Sequence, residues 1–578
     1  MVEHEDRELV ERARSGDQEA FGELVRRHRA KAFGLARSLA HDPHLADDIV
    51  QDALVRAFLH LGTLLDGERF LPWLQTIVRN QAHMKLRRGG PFGKERPFSA
   101  YEAASDLGAN TNWGDLDSIL HHLAKNAAAT RLGDPLERVM RCETLDLIRT
   151  LLLCLKPRER EIFELHFFRQ LSPAEIASLY ATTTNVIYTS LHRSKQKLQK
   201  EHLRASLALL VKTRRGHSKM SKRILEKPKM YHYEGTYNSA VLAIHSALAY
   251  TEKQELSLAE VMALSTHAFR INVSDTIDPS GPTAFDWKTV FSKGLNNLGF
   301  QAKCVGGPTG RGPTAEDTVQ AIELVHDSID RGIPLIAWNV ETPEFGLIYG
   351  YDDEKKVLHI FDAAAPGKEL SYEKLGHGSY PELFVLAIGE RTERTHRSAD
   401  IIHFMPQTAE QATNYRQALR QTLALVLSHA HGEESTFANM TGGLAAYDVL
   451  INALRTGTVH QFGGGYNITV ISDARKFAAE FLIKLSRPFH HCLRPNMEEF
   501  QLQRLAARAA VHYAQVSAAW IGLSQLFPFP QGGNPTDPAA VAEAIALLQE
   551  AKEAEKNGIT VLEQLYGLLD NIKTEVEA

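Results

Sequence analysis

Cysteine is scarce: four thiols in 578 residues (Cys142, Cys154, Cys304, Cys492), none in a CxxC pair. That excludes a disulfide scaffold and a zinc ribbon and suits a reducing compartment. No apolar run approaches the ~18 residues a membrane span needs, so no membrane partner is expected. The opening residues, MVEHEDRELVERARSGD, lack the apolar core of a signal peptide, and a cytoplasmic location is expected. Also missing are the HExxH metal pattern and a phosphate loop, since Gly463-Gly464-Gly465 has no GKS or GKT ending. There is no internal repeat and no low-complexity tract. What is present, 44% apolar and 23% charged residues, is globular rather than disordered or collagen-like. A chain this long is expected to hold about three to five domains.

Charge is unevenly spread. Residues 1–230 hold 38 Lys and Arg against 29 Asp and Glu, a net of +9, and the remainder is net −14. A basic first part and an acidic second part suggest two jobs, the first on a polyanion.

Helical spacing dominates the first part. Pro43 follows Asp42 as a helix start, and Leu45, Ile49, Val50, Ala53, Ala57 and Phe58 form an apolar stripe. Asp47, Asp48, Gln51 and Asp52 lie off that stripe. A further helix from about Phe70 to Arg88 carries Trp73, Leu74, Ile77 and Val78 on one side and a basic end. Its bland reading is a solvated surface around a helical core, with Trp73 a core anchor; the sharper one gives the acidic face to a protein and the aromatic-basic helix to single-stranded nucleic acid. Residues 91–135 change character and read as a linker.

Residues 136–212 are helical again. Ser172-Pro173-Ala174-Glu175 is a capping box with proline at the first helical position. A short polar run, Ala181 to Thr184, separates two helices, the pattern of a helix-turn-helix. Asn185, Tyr188, Thr189 and His192 have the reach for base edges or phosphates, and Arg193, Lys195, Lys197 and Lys200 supply phosphate contacts. A helical hairpin with a solvated basic face fits this motif alone about as well.

The segments HDPHLADDIVQDALVRAFLHL, FLPWLQTIVRNQAHMKLRR and LKPREREIFELHFFRQLSPAEIASLYATTTNVIYTSLHRSKQKL stand in one order. Together they resemble an extracytoplasmic-function sigma factor of the sigma-70 superfamily: region 2 at 1–90 and region 4 at 136–212. The resemblance implies that Asp47, Asp48, Gln51 and Asp52 dock on core RNA polymerase. It implies that Trp73, Arg79 and Asn80 melt and read the promoter −10 element. It gives the −35 element to Asn185, Tyr188, Thr189, His192, Arg193 and Lys197, and the nascent-RNA channel to the linker. Family members usually carry a basic residue where Ser190 stands.

A basic stretch at 213–230 reads as a second linker. Residues 231–395 turn mixed α/β, with strand-like runs at 334–340, 345–351, 357–362 and 383–388; residues 396–578 read as a separate helical domain, interrupted at GGGYN (463–467) and at FPFPQGGNPTDP (527–538). The segment from Tyr233 to Tyr250 followed by GIPLIAWNVETPEFGLIYGYDDEKKVLHIFD is similar to papain-like cysteine enzymes, and closer to the acyltransferase of butirosin biosynthesis. Such enzymes need a cysteine at a helix N-terminus and a histidine base. The matching positions hold Asn238 and Glu344, with Asp362 at the third. The expectation is a degenerate enzyme pocket kept for binding a small molecule or protein effector.

The expected architecture is therefore multidomain: two all-α lobes, the second a helix-turn-helix, then an α+β papain-like domain and a helical domain. The expected function is promoter recognition and transcription initiation with core RNA polymerase under a C-terminal regulatory domain, without catalysis, cofactor or metal. The rival classes are an acyltransferase or hydrolase using Ser239, with His232, His245 or His359 as its base, and a scaffold that binds polymerase without initiating. The clusters His429, His431, Glu433, Glu434 and His490, His491, Cys492 read as surface groups rather than metal sites.

Overall fold

The computed structural model describes residues 2–87, 150–229, 235–391, 409–487 and 497–577, less some single positions and short stretches inside those ranges. The expected linker at 91–135, Cys142 and the cluster from His490 to Cys492 lie outside the described residues. The chain divides into two compact units, Met1–Ser206 and Leu207–Ala578. No helix among the described residues is long and apolar enough to cross a membrane.

In the first unit, α1 (Val2–Arg14), α2 (Gln18–Ala40), α3 (Pro43–His60) and α4 (Phe70–Arg87) close around one apolar core. Leu24, Ile49, Val50, Ala53, Phe70, Trp73 and Leu74 are buried there, the three- and four-residue spacing of a helix stripe turned inward. Next come α5 (Pro157–Phe167), α6 (Pro173–Leu179) and α7 (Thr184–Gly216). Ile162, Leu165, Ile176, Ile187 and Leu191 form the small core that fixes the turn between α6 and α7. The capping box is as the sequence reads: Ser172 Oγ accepts from the Glu175 amide at 3.2 Å, and Glu175 Oε2 accepts from the Ser172 amide at 2.9 Å.

The second unit is built on an antiparallel sheet of seven strands. β1 is Lys222–Ile224, β2 (Asn272–Ser274) lies outside the sheet, and β3 is Phe300–Gly306. The others are β4 (Leu335–Trp338), β5 (Phe345–Asp352), β6 (Val357–Phe361), β7 (Lys368–Ser371) and β8 (Phe384–Arg391). Their order is β3-β8-β4-β5-β6-β7. β5 is buried along its whole length because its first half pairs with β4 and its second half with β1. α8 (Ser239–Leu248) packs on the sheet, α9 (Leu258–Leu264) packs on α8, and α10 (Trp287–Asn297) and α11 (Ala315–Asp330) pack on the sheet. β9 (Met440–Gly442) pairs with β2.

Three boundaries differ from the sequence reading. The stretch 213–230 is not a free linker: α7 runs on to Gly216, and Lys222–Ile224 is a strand of the sheet. Arg214 anchors that helix end. Its guanidinium lies 3.4 Å from Asp353, 3.3 Å from Asp330 and 3.1 Å from the Tyr351 hydroxyl, all groups of the second unit. The helices from 409 onward are not a separate domain either. α12 (Ala409–Ala430), α14 (Gln461–Leu485), α15 (Met497–Leu526) and α16 (Pro538–Glu577), with α13 (Ala445–Thr456) between them, share one core with the sheet-side helices. Tyr415, Leu419, Leu482, Tyr513 and Leu562 meet Ile244, Leu264, Phe291 and Leu386 in it. A fully buried Arg475 donates to Glu555 and to the carbonyls of Ala268 and Arg270. Finally, Gly463-Gly464-Gly465 interrupts no helix but lies within α14. A Cβ at Gly463 would sit 2.5 Å from the Ile277 carbonyl oxygen, so glycine is there for close backbone approach.

Candidate functional site

On α3, the side chains of Asp47, Asp48, Gln51 and Asp52 are all exposed, while Ile49, Val50 and Ala53 between them are buried. Asp47 lies 3.2 Å from Arg29 across the surface, and one turn on Val55 is 55% exposed. The result is an acidic face with an apolar spot, carried on a rigid helix.

On α4 the sequence-assigned residues separate. Trp73 is only 3% exposed and packs 5.9 Å, ring to ring, from Phe70. It is a core anchor and not a stacking platform, because it falls on the same helix stripe as Leu74, Ile77 and Val78. Arg79 is half-exposed, 3.6 Å from the Glu175 carboxylate. Asn80 stands on α4; its side chain lies outside the described residues.

The beginning of α7 presents Asn185, Tyr188, Thr189, His192 and Arg193 to solvent, with Tyr188 59% exposed. Ile187, Leu191, Ser194 and Leu198 hold the opposite side of the helix in place. This face follows directly after the turn from α6, the position of a helix that enters a DNA groove. Thr189 Oγ1 donates to the Asn185 carbonyl at 2.9 Å. Lys197 differs from its neighbours. Its ammonium donates to both Glu159 oxygens on α5, at 2.8 and 2.7 Å. That hydrogen bond, more than any other influence, holds the Glu159 carboxyl below its ordinary range. Lys197 thus ties α7 to α5, whereas Arg193 is exposed.

In the second unit the residues aligned with a cysteine-enzyme triad are only partly brought together. Asn238 is the N-cap of α8, its Oδ1 accepting from the Val241 amide at 3.1 Å. The group that meets Glu344 is the next residue, Ser239: its hydroxyl donates to Glu344 Oε2, and the Phe345 amide donates back to Ser239 Oγ at 3.3 Å. Tyr466 from α14, absent from the sequence reading, donates to Glu344 Oε1. Burial raises the Glu344 carboxyl above its ordinary range, against the hydrogen bonds from Ser239 and Tyr466. Asp362 accepts from the Thr342 amide and hydroxyl at 3.0 and 3.2 Å and so fixes the loop before β5. Of the three histidines weighed as a base, His245 lies 3.1 Å from the Leu256 carbonyl, His359 is on β6, and His232 is outside the described residues. His429 is buried: its Nδ1 faces Glu434 at 3.0 Å and its Nε2 accepts from the Ile271 amide at 3.0 Å, a structural cross-brace rather than a surface group.

Comparison with known proteins bears on the first unit. Residues 24–91 match the family model Sigma-70 region 2, and residues 145–198 match Sigma-70, region 4. The RNA polymerase sigma factor NccH of Alcaligenes xylosoxydans xylosoxydans is 30% identical over 193 residues, 33% of this chain and 92% of that protein. The chain belongs to the sigma-70 family of RNA polymerase sigma factors. The sigma factor CnrH of Cupriavidus metallidurans is likewise 30% identical over 196 residues, 34% of this chain and 93% of that protein. The RNA polymerase sigma-H factor of Pseudomonas aeruginosa is 26% identical over 200 residues, 35% of this chain and 95% of that protein. A sigma factor is a DNA-binding protein of transcription initiation, and the two matched regions coincide with the acidic α3 face and the exposed start of α7.

Proposed function

We propose that this sigma factor docks on core RNA polymerase through Asp47, Asp48, Gln51 and Asp52 and reads the −35 element with Asn185, Tyr188, Thr189, His192 and Arg193. Arg79 and Asn80 on α4 act at the opened −10 strand; Trp73 supports them from the core. One observation carries the reading. Two faces, one acidic and one polar-to-basic, both stand exposed on helices whose opposite sides are locked in cores. The polyanion contact falls to the part of the chain with net positive charge. The test is co-elution with core polymerase, then open-complex formation on promoter DNA. Failure to associate at low salt contradicts the reading.

The second unit is a regulatory domain on a degenerate papain-like scaffold. Its support is the closed network at the head of α8: Ser239 gives its proton to Glu344 and receives the Phe345 amide. Glu344, in turn, is held by Tyr466. Among the described residues the Ser239 hydroxyl meets a carboxylate and a backbone amide rather than an imidazole. A network so satisfied suits a binding domain rather than turnover. Transcription by residues 1–206 compared with the full chain tests regulation; equal output under every condition contradicts it.

A further inference from the structure

α15 is apolar on two opposite sides. Leu502, Tyr513, Val516 and Trp520 turn inward and are buried in the cores of the second unit. The other side carries a second stripe, at alternating steps of three and four residues from Met497 to Ile521, and it stands in the open. Met497 is 72%, Phe500 53%, Val511 60% and Ile521 44% exposed. Arg504, Ala507, Ala514 and Ala518, the remaining positions of the stripe, are exposed as well. One core accounts for one apolar stripe. A second stripe, in the a and d spacing of a coiled coil, calls for a second helix.

The order of side chains along the stripe says which helix. Reversed about the level of Ala509, the stripe fits onto itself: Met497 meets Ile521, Phe500 meets Ala518, Arg504 meets Ala514, and Ala507 meets Val511. Every layer then sets an a position against a d position. Three of the four layers put a larger side chain on an alanine, so knob and hole alternate along the pair. Run parallel, the same stripe would stack Phe500 on Phe500 and Arg504 on Arg504, and leave alanine facing alanine at 507, 514 and 518. Arg504 can cover Ala514 with its stem while its head stays in water. Arg508, beside the stripe, donates to Gln564 on α16 at 3.3 Å, which draws its charge toward the edge.

The size is sufficient for a reversible contact. The stripe runs ~36 Å at 1.5 Å per residue, and a helix with its side chains is ~10 Å wide. Two copies so apposed bury on the order of 1,000 Å², the level a specific contact must clear.

We propose that this stripe is the face on which two copies of the chain pair, their α15 helices antiparallel about a two-fold axis at the level of Ala509. A surface that is its own complement is what a two-fold dimer requires. The pairing rests on the second unit's surface and not on the sigma-factor reading of the first, so either can fail without the other.

Sedimentation velocity of the full chain across about 1–200 µM tests it, the range suited to an interface of this size. A reversible monomer–dimer equilibrium is expected. Val511→Glu changes an exposed position and should weaken pairing at least about a hundredfold, since symmetry counts each change twice. Its circular dichroism should stay native; if it does not, Ala514→Glu carries the same test. The register is read by mixing. Phe500→Cys copies and Ala518→Cys copies, mildly oxidised together, should give a 500–518 linked peptide by mass spectrometry, and neither variant should link to itself through the new cysteine. A chain that stays monomeric throughout overturns the proposal and leaves the stripe to another protein's helix. So does a dimer that Val511→Glu and Ala514→Glu leave intact, or Phe500→Cys linked to itself, the mark of a parallel pair.

Discussion

Ser239 at the head of α8 donates its hydroxyl proton to Glu344 at the start of β5, 105 residues away in the chain. The contact ties the helix head to the sheet and engages both side chains. Both ends of the Ser239 hydroxyl are engaged: its proton goes to Glu344, and its oxygen accepts from the Phe345 amide.

Ser239 should therefore resist a fluorophosphonate serine probe in the native full chain. Mass spectrometry of the labelled protein checks this. Labelling of Ser239, lost in Ser239→Ala, would return the second unit to the enzymes.

Arg193 and Lys197, one helical turn apart on α7, should behave differently. Arg193→Ala removes an exposed cation; promoter affinity should fall, and the slope of log affinity against log salt should shrink by about 1. Lys197→Ala breaks the bond to Glu159 instead. It should leave that slope nearly unchanged and lower the stability of the helical unit by ~0–1 kcal/mol, as for a half-exposed pair. Fluorescence anisotropy across a salt series, with parallel urea melts, distinguishes the two.

Trp73→Ala should cost the first unit ~3–5 kcal/mol, the range for deleting a large buried ring. A stacking residue on the surface would cost far less. Thermal unfolding followed by circular dichroism reads the difference, and Trp73→Phe should recover much of the loss.

Acid should weaken the second unit in a specific window. His267 is held down to about 3 by burial and by Arg270, while in the unfolded chain it titrates near 6.5. The unfolded state thus takes up a proton that the folded state refuses, and stability falls as pH drops below 6.5. By pH 5 this amounts to ~2 kcal/mol from His267. Buried His429 acts in the same direction. Urea melts at pH 7.5 and 5 should show the loss, and His267→Phe should reduce it by about that amount.

Much of the first unit was legible because its signals are local. A capping box, a proline start and a stripe of Ile49, Val50 and Ala53 each lie within a few residues of what they specify. Trp73 shows the limit: the same spacing that makes a core stripe was given a surface role by resemblance, and burial decides for the core. In the second unit the missed features are long-range. Lys222–Ile224 is basic and partly exposed, and only β5 makes it a strand. Gly463 to Gly465 read as a helix breaker until the chain around Ile277 and Gly532 is packed against α14. Tyr466 had no signal near Asn238 in the sequence. The offset from Asn238 to Ser239 is one residue, which at a helix start decides between a cap and the group that meets Glu344.

The account stands most directly on open-complex formation. Core polymerase, the full chain and a supercoiled promoter library should yield permanganate-reactive −10 thymines. The double variant Asp48→Lys, Asp52→Lys, exposed positions that should leave folding intact, should lose both polymerase co-elution and that reactivity. Reactive thymines retained by this variant, or none produced by the native chain while it binds polymerase, would contradict the assignment of the two helical faces.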